Sequence, residues 1–252
     1  LQRALDNDIG RFHKSVCIGP AGENKVRYSS IMTEIHHAAG RGGTGAVMGS
    51  KKLKFIAVRG TNAIGIHDMP AWKKTNKQVW TDMLSDSGFQ QWRRYGTASV
   101  LTASSDWCSE AVYNFREGTY EHAGLLSAEK AYRNLWVGDS GCHMCPIACM
   151  HRGVIRTGRF SGMTHDGPEY EGVMMGANCG VKDFNGWMAN ISAADDYGLC
   201  FISMGNILGF CMEAYEKGLI KASDLDGVEL RWGDVDAMLK IQKKVALAEG
   251  CG

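Results

Sequence analysis

The sequence predicts an α+β protein: a β-rich stretch over residues 1–62 followed by a mainly α-helical one over residues 63–252. Two patterns carry this reading. Up to about Gly60, short apolar runs alternate with glycine-rich turns, as strands of a small sheet do. Beyond it, apolar residues recur at helical spacing over long windows. A third observation fits both halves. Glycine makes up 32 of 252 residues with no low-complexity run, so many tight turns or close backbone approaches are called for.

In chain order, Ser15-Val16-Cys17-Ile18 reads as a strand stopped by Gly19-Pro20. Lys25 to Ser29 reads as a second strand, and Leu53 to Val58 as a third. Ala38 to Ser50 between them reads as a glycine-rich loop followed by a short helical turn. Helical spacing then marks Met69–Asp86, Ser127–Trp136, Trp187–Tyr197, Ile202–Gly218 and Val235–Ala248. Gly218 stands where a C-terminal cap belongs, and Asp224 and Asp234 are N-cap candidates.

Composition excludes several classes of function. A net charge of +1 leaves no electrostatic footprint for nucleic acid or an anionic membrane. No run of about eighteen apolar residues predicts a transmembrane helix. The first residue is Leu1 and the opening is no signal peptide, while the last helix runs into Gly250-Cys251-Gly252 without a closing element. The chain therefore reads as a piece of a longer protein. Its 9 cysteines are an odd number, and three of them fall within eight residues. That is metal spacing in a reducing, cytoplasmic compartment rather than a disulfide framework.

Those three are Cys142, Cys145 and Cys149, in a C-x2-C-x3-C arrangement. Three thiolates on one tight turn can hold three irons of a 4Fe–4S cube or three positions on zinc. A zinc site would take His143 or His151 as its fourth ligand, giving a non-enzymatic, zinc-stabilised module as the alternative function. Against zinc, no second C-x2-C knuckle is present. Pro146 after the second cysteine restricts the backbone and suits a loop wrapped around a cluster.

Taken in order, five segments resemble the aldehyde:ferredoxin oxidoreductase family of tungsten-pterin enzymes. They are Ile18 to Asn24, Ala39 to Gly49, the cysteine knot, Gly167-Pro168-Glu169-Tyr170-Glu171 and Asp195-Asp196-Tyr197-Gly198-Leu199-Cys200. The resemblance runs from about residue 15 to the end. It implies a tungsten (or molybdenum) bis-pterin, a 4Fe–4S cluster and a magnesium ion bridging the pterin phosphates. It also implies an internal fragment. The β-rich part would be the end of a domain forming a base under the cofactor, and the helical part would carry the iron–sulfur and pterin motifs. The implied reaction is oxidation of an aldehyde to the carboxylic acid, with electrons passed to ferredoxin or an electron-transfer subunit. The implied assembly is a homo-oligomer or a larger complex.

Residue by residue, the resemblance implies cluster ligands at Cys142, Cys145 and Cys149, with the fourth ligand outside this chain. It implies pterin contacts at Asp195, Gly198, Leu199 and Cys200. A carboxylate there accepts from pterin N–H groups and a glycine admits close backbone approach. On the residues alone, a helix C-terminus at Gly198 preceded by exposed acids is the stronger reading, and the other motifs turn it toward pterin. Cys200 departs from the family's usual Asp at this copy of the signature, so it is either a pterin contact or a buried thiol. Arg41, Gly42 and Gly43 resemble the loop that meets the pterin phosphates, offering a guanidinium and open N–H groups. Glu171, with Glu169 second, is the general-base candidate, a carboxylate suited to the task by burial near the metal. His165 reads as an ordinary loop residue. Glu34 with His37 matches iron-binding spacing by chance, and His36 and His37 flank the cofactor loop. A branch of the family that reduces aromatic-ring thioesters has a cysteine near the metal. The intact Gly-Pro-Glu-Tyr-Glu favours aldehyde chemistry, although Cys179 lies close by.

Overall fold

The computed structural model describes residues 13–33 and 37–252; the side chains of Asp166 and Glu171 lie outside what it describes. Glu34 and His36 therefore fall outside the described residues.

The β-rich part is an antiparallel sheet. Strand β1 (Lys14–Ile18) pairs with β2 (Ile31–Thr33) on one side and β4 (Phe55–Val58) on the other, and β3 (His37–Ala39) closes the edge, in the order β3-β2-β1-β4. Val16 sits opposite both Thr33 and Ile56. Two short helices, α1 (Pro20–Glu23) and α2 (Thr44–Ser50), pack on one another beside it. The strand expected at Lys25–Ser29 is instead a turn. Lys25 has a left-handed φ of 60°, and the Ser29 amide donates to Val26 O at 2.9 Å, which closes the chain on itself. The pairing moves on to Ile31. Val26 and Tyr28 alternate with polar residues whereas Ile31-Met32-Thr33 does not, so the local pattern pointed to the wrong stretch.

The helical part comprises α3 (Met69–Ser85), α4 (Ser87–Tyr95), α5 (Val100–Asp106), α6 (Ala128–Asn134), α7 (Phe184–Tyr197), α8 (Phe201–Glu216) and α9 (Val235–Leu247). Asp234 caps α9, accepting the Ala237 amide at 3.0 Å. Gly218, at φ 69°, follows α8 as a left-handed stop. Asp224 is not an N-cap. It lies at the third position of a 3-10 turn (Ala222–Leu225) and accepts the Lys221 amide at 2.8 Å.

Inside this helical part lies an antiparallel sheet of β5 (Trp136–Ser140), β6 (Met150–Val154) and β7 (Thr164–Asp166), in the order β5-β6-β7. Its strands are short and interrupted by Gly138 and Gly153, so no period of two stands out in the sequence. Trp136, expected at a helix end, opens β5 instead.

The core forms where α7, α8 and α9 enclose the 3-10 segment Tyr170–Met175. Trp187 is fully buried there and donates its indole N–H to Gly172 O at 2.8 Å, which satisfies the ring's one polar atom. Met175, Met188, Met204, Met212 and Met238 fill the space around it. By contrast, α3 buries no side chain, and Trp72 and Trp80 on it stay open to solvent. No helix among the described residues is long and apolar enough to cross a membrane.

Candidate functional site

The site begins where the two parts touch. Strand β1 ends at Ile18, and the chain turns through Gly19-Pro20 directly against the end of α7. A Cβ on Gly19 would lie 2.3 Å from the Tyr197 carbonyl oxygen, and one on Gly198 would lie 2.7 Å from the Gly19 nitrogen. Both positions therefore require glycine. Gly198 also ends α7 in the left-handed region, at φ 69°. The Ser30 amide donates to Gly198 O at 2.8 Å and the Cys200 amide to Tyr28 O at 2.9 Å, so the Asp-x-x-Gly-Leu-Cys signature is stitched to residues 28–30.

This contact leaves a cavity of about 770 Å³ between the first sheet, the second sheet and the last turn of α7. Asp195 and Asp196 line it from α7, Gly19 and Pro20 from the end of β1, and Arg152, Thr164 and His165 from the second sheet. Burial raises the Asp196 carboxyl above its ordinary range. The cavity is of the size and mixed polarity that suits a large organic cofactor.

The other signature residues divide. Leu199 is fully buried in the core, its amide donates to Ala194 O at 2.8 Å, and it does not line the cavity. The Cys200 thiol is buried and accepts the Ser203 amide at 3.5 Å, capping α8. Arg41 and Gly42 are exposed and do not line the cavity. Gly43 is buried at φ 70°, and a Cβ there would meet Arg27 O at 2.3 Å. Ser30 links this tract to the signature, since its hydroxyl donates to Gly40 O at 3.0 Å.

The three cysteines sit in the loop joining β5 to β6, whose ends are fixed by the Ser140–Met150 pairing. Met144 and Ala148 take left-handed φ values of 59° and 47°, and the Cys145 amide donates to Cys142 O at 3.0 Å. These features fold the loop tightly. All three thiols are free; Cys142 is exposed and the other two are half-buried. Burial pushes the Cys149 thiol up, and the neighbouring Cys145, Cys142 and Glu169 add to the shift. So much potential negative charge on one loop fits a cationic iron centre. Cys142 Sγ also lies 3.6 Å from His37 Nε2, which brings the edge of the first sheet to the loop.

His151 keeps Nε2 buried with no hydrogen-bond partner among the described residues. It is buried, stacked on Trp136 at 3.8 Å between ring centres, and its Nδ1 lies 3.0 Å from Asp139. Burial lowers its pKa despite that carboxylate. Among the described residues no three His, Cys, Asp or Glu side chains converge on a single ion position.

The Gly-Pro-Glu segment follows β7 and is bound to the base of the cysteine hairpin. The Gly167 amide donates to His151 O at 2.9 Å, and the Trp136 indole donates to Gly167 O at 2.7 Å. Glu169 is half-buried and close enough to Cys149 to perturb it. The backbone of Glu171 lies in the Tyr170–Met175 turn; its side chain is outside the described residues. Cys179 faces no cavity. It is fully buried and its thiol donates to Met174 O and Gly205 O, and burial drives its pKa far up. His165 lies on β7 rather than in a loop, buried at the cavity wall. Arg152 and His165 carry no spacing signal in the sequence, and only the sheet brings them to the cavity.

Known proteins align with this arrangement. A family profile described as "Aldehyde ferredoxin oxidoreductase, N-terminal domain" matches residues 1–60, and one described as "Aldehyde ferredoxin oxidoreductase, domains 2 & 3" matches residues 72–252. A tungsten-containing aldehyde ferredoxin oxidoreductase of Pyrococcus abyssi is 36% identical over 100% of this chain and 42% of its own length. One of Pyrococcus furiosus is 39% identical over 95% of this chain and 39% of its own length. An aliphatic sulfonate oxidoreductase, WOR-like subunit, of Pyrococcus furiosus is 36% identical over 94% of the chain and 38% of its own length. The chain thus spans about two fifths of the relatives it matches. Among solved structures, the active site complex BamBC of benzoyl coenzyme A reductase superimposes with a TM-score of 0.78 at 20% identity, over 98% of this chain and 39% of the other.

Proposed function

The chain belongs to the aldehyde ferredoxin oxidoreductase family, and from that premise we propose that it is the cofactor-holding portion of a tungsten-pterin, iron–sulfur oxidoreductase that converts an aldehyde to its carboxylic acid. The observation that carries the proposal is the joint placement of two motifs. The Gly19-Pro20 turn and the Asp195–Leu199 signature meet backbone to backbone at a cavity of about 770 Å³. The hairpin behind that cavity bears Cys142, Cys145 and Cys149.

In this reading residues 1–62 end the β base and residues 63–252 carry the cluster and pterin motifs. Asp195 accepts hydrogen bonds from the pterin's N–H groups, while Gly198 and Leu199 fix the turn that sets Asp195 at the cavity. Arg41 and Gly42, exposed on their loop, would offer a guanidinium and open N–H groups to the phosphates and their magnesium, and Gly43, buried against Arg27 O, sets the turn that presents them. Cys142, Cys145 and Cys149 hold three irons of the 4Fe–4S cluster. Cys200 acts from beneath as a buried thiol, fixing the start of α8, with its amide and carbonyl taken up by Tyr28 O and the Met204 amide. When bound, the pterin-held metal supplies the two-electron oxidation. The chain's own task is proton handling and positioning. Glu171, with Glu169 as second candidate, takes a proton from the water that adds to the aldehyde carbon, a general-base role. The balance is aldehyde plus water giving acid, two protons and two electrons, the electrons leaving to ferredoxin or a similar acceptor.

Cys179 speaks against the ring-reducing alternative in this chain, because its thiol is buried in the core away from the cavity. The zinc module needs four ligands on one ion, and among the described residues no three His, Cys, Asp or Glu side chains are so grouped.

Anaerobic metal analysis of the full-length native protein tests the proposal. Tungsten or molybdenum with about four irons per chain is the expected result. Zinc alone, with neither iron nor tungsten, would sink it. Replacing Cys145 with serine is expected to remove most of the iron while leaving zinc content at background.

A further inference from the structure

We propose that the cleft between α4 and α6 is the docking surface for an acidic electron-acceptor protein, joined to the cysteine loop by the rings of Tyr132, Trp136 and His151. The proposal rests on the reading of Cys142, Cys145 and Cys149 as cluster ligands.

The cleft holds about 660 Å³ and is lined by Arg93, Arg94, Tyr95, Tyr132 and Asp139 together with two glutamine amides. Its charge is positive. Arg93 and Arg94 stand in the last turn of α4 and outnumber the single carboxylate of the lining. Neither Arg93 nor Arg94 has an ion-pair partner among the described residues. Asp139, the one carboxylate in the lining, is turned to His151 Nδ1 at 3.0 Å. Arg94 lies over the Tyr132 ring, 5.5 Å from its centre. Arginine and half-exposed aromatic rings, here Tyr132 and Trp92, are the side chains that anchor protein interfaces. An acidic partner meets such a surface with complementary charge, which steers the encounter.

The cleft also touches the cysteine loop through its wall. Its wall residue Tyr95 is followed by Gly96, where a Cβ would lie 2.3 Å from Cys149 O, so wall and loop are in direct contact. From the cleft inward the rings run Tyr95 to Tyr132 at 5.9 Å, Tyr132 to Trp136 at 6.2 Å, and Trp136 to His151 at 3.8 Å, with the last pair stacked. His151 stands two residues after Cys149. Electron transfer weakens steeply with distance, and an acceptor docked here would sit against the segment that packs on Cys149. The step oxidises the reduced cluster by one electron and reduces the acceptor's own iron–sulfur centre. No bond forms or breaks, and no proton crosses the cleft.

The test uses full-length anaerobic holoenzyme, wild type and the double variant Arg93→Glu/Arg94→Glu, with a bacterial two-cluster ferredoxin as probe. Wild-type binding is expected to weaken with added salt, and the variant's Kd at low salt to rise about tenfold or more. Iron per chain and the electron paramagnetic signal of the reduced cluster are expected to stay at wild-type levels. If the double variant does not fold, Arg94→Gln reads the same shift at smaller size. An unchanged Kd with iron intact overturns the docking surface alone. So does shielding of Arg93 and Arg94 from phenylglyoxal in holoenzyme without ferredoxin, because the rest of the protein or a second copy then fills the cleft. Wild-type protein without iron overturns the cluster reading and this proposal with it.

Discussion

Glu110 is a carboxylate whose environment changes its chemistry well away from the cavity. It is buried, one carboxyl oxygen has no hydrogen-bond partner, and its pKa is pushed up to about 7 by burial, with a hydrogen bond from Ser105 acting the other way. A carboxyl whose folded pKa is raised disfavours folding once the unfolded chain would ionise it. The penalty is absent below the ordinary carboxylate range, grows as pH rises, and is complete above about 7. Glu110→Gln keeps a neutral group at every pH. The variant is therefore expected to be more stable than wild type at pH 8, by on the order of 1–3 kcal/mol, with the difference shrinking toward pH 5. Thermal melts across that range check it, and a constant offset would remove the carboxyl as the cause. Nothing in the sequence around Glu110 announced this, because burial is a property of the packed fold. Asp195 and the three cysteines were legible, since their spacing and neighbours are local.

At the scale of elements, the long helices followed from periodicity and caps. Met69–Ser85, Phe184–Tyr197, Phe201–Glu216 and Val235–Leu247 all lie where helical spacing placed them, within a few residues. The cap at Asp234 carries a measurable share of α9. Asp234→Ala leaves the Ala237 amide without its partner and is expected to cost about 0.5–2 kcal/mol in denaturant unfolding, whereas Asp234→Ser is expected to restore most of it. Short elements were less legible. Helices α4 and α5 and the second sheet lack a run long enough for a period to emerge. The expected strand at Lys25–Ser29 was displaced by a left-handed turn at Lys25, which only the chain's need to reach the α7 end explains.

Across the whole molecule, the joint between the sheet and the helices holds the site together. Besides the Gly19–Gly198 contact, Asn24 donates its side-chain amide to Ala246 O at 2.9 Å, so α1 is tied to the end of α9 as well. Gly198→Ala adds a Cβ 2.7 Å from the Gly19 nitrogen at a φ of 69° that alanine disfavours. Its expected cost is about 1–3 kcal/mol, and in the holoenzyme the larger consequence is loss of pterin, measured as the fluorescence of its oxidised, released form. Retention of full pterin content with unchanged melting would show that the two parts do not depend on this contact.

The sequence by itself determined the α+β class, the major helices, the free three-cysteine knot and the glycine and aspartate signatures. Each of these is set by residues a few positions apart, whose spacing is chemistry in its own right. Tertiary structure alone decided that Gly19 meets Gly198, that Arg152 and His165 reach the cavity, that Cys179 and Cys200 turn away from it, and that Trp136 stacks on His151 behind the cysteines. Those are contacts between segments far apart in the chain. Which of the many possible long-range pairings forms depends on the packing of the whole core, and no local pattern encodes it.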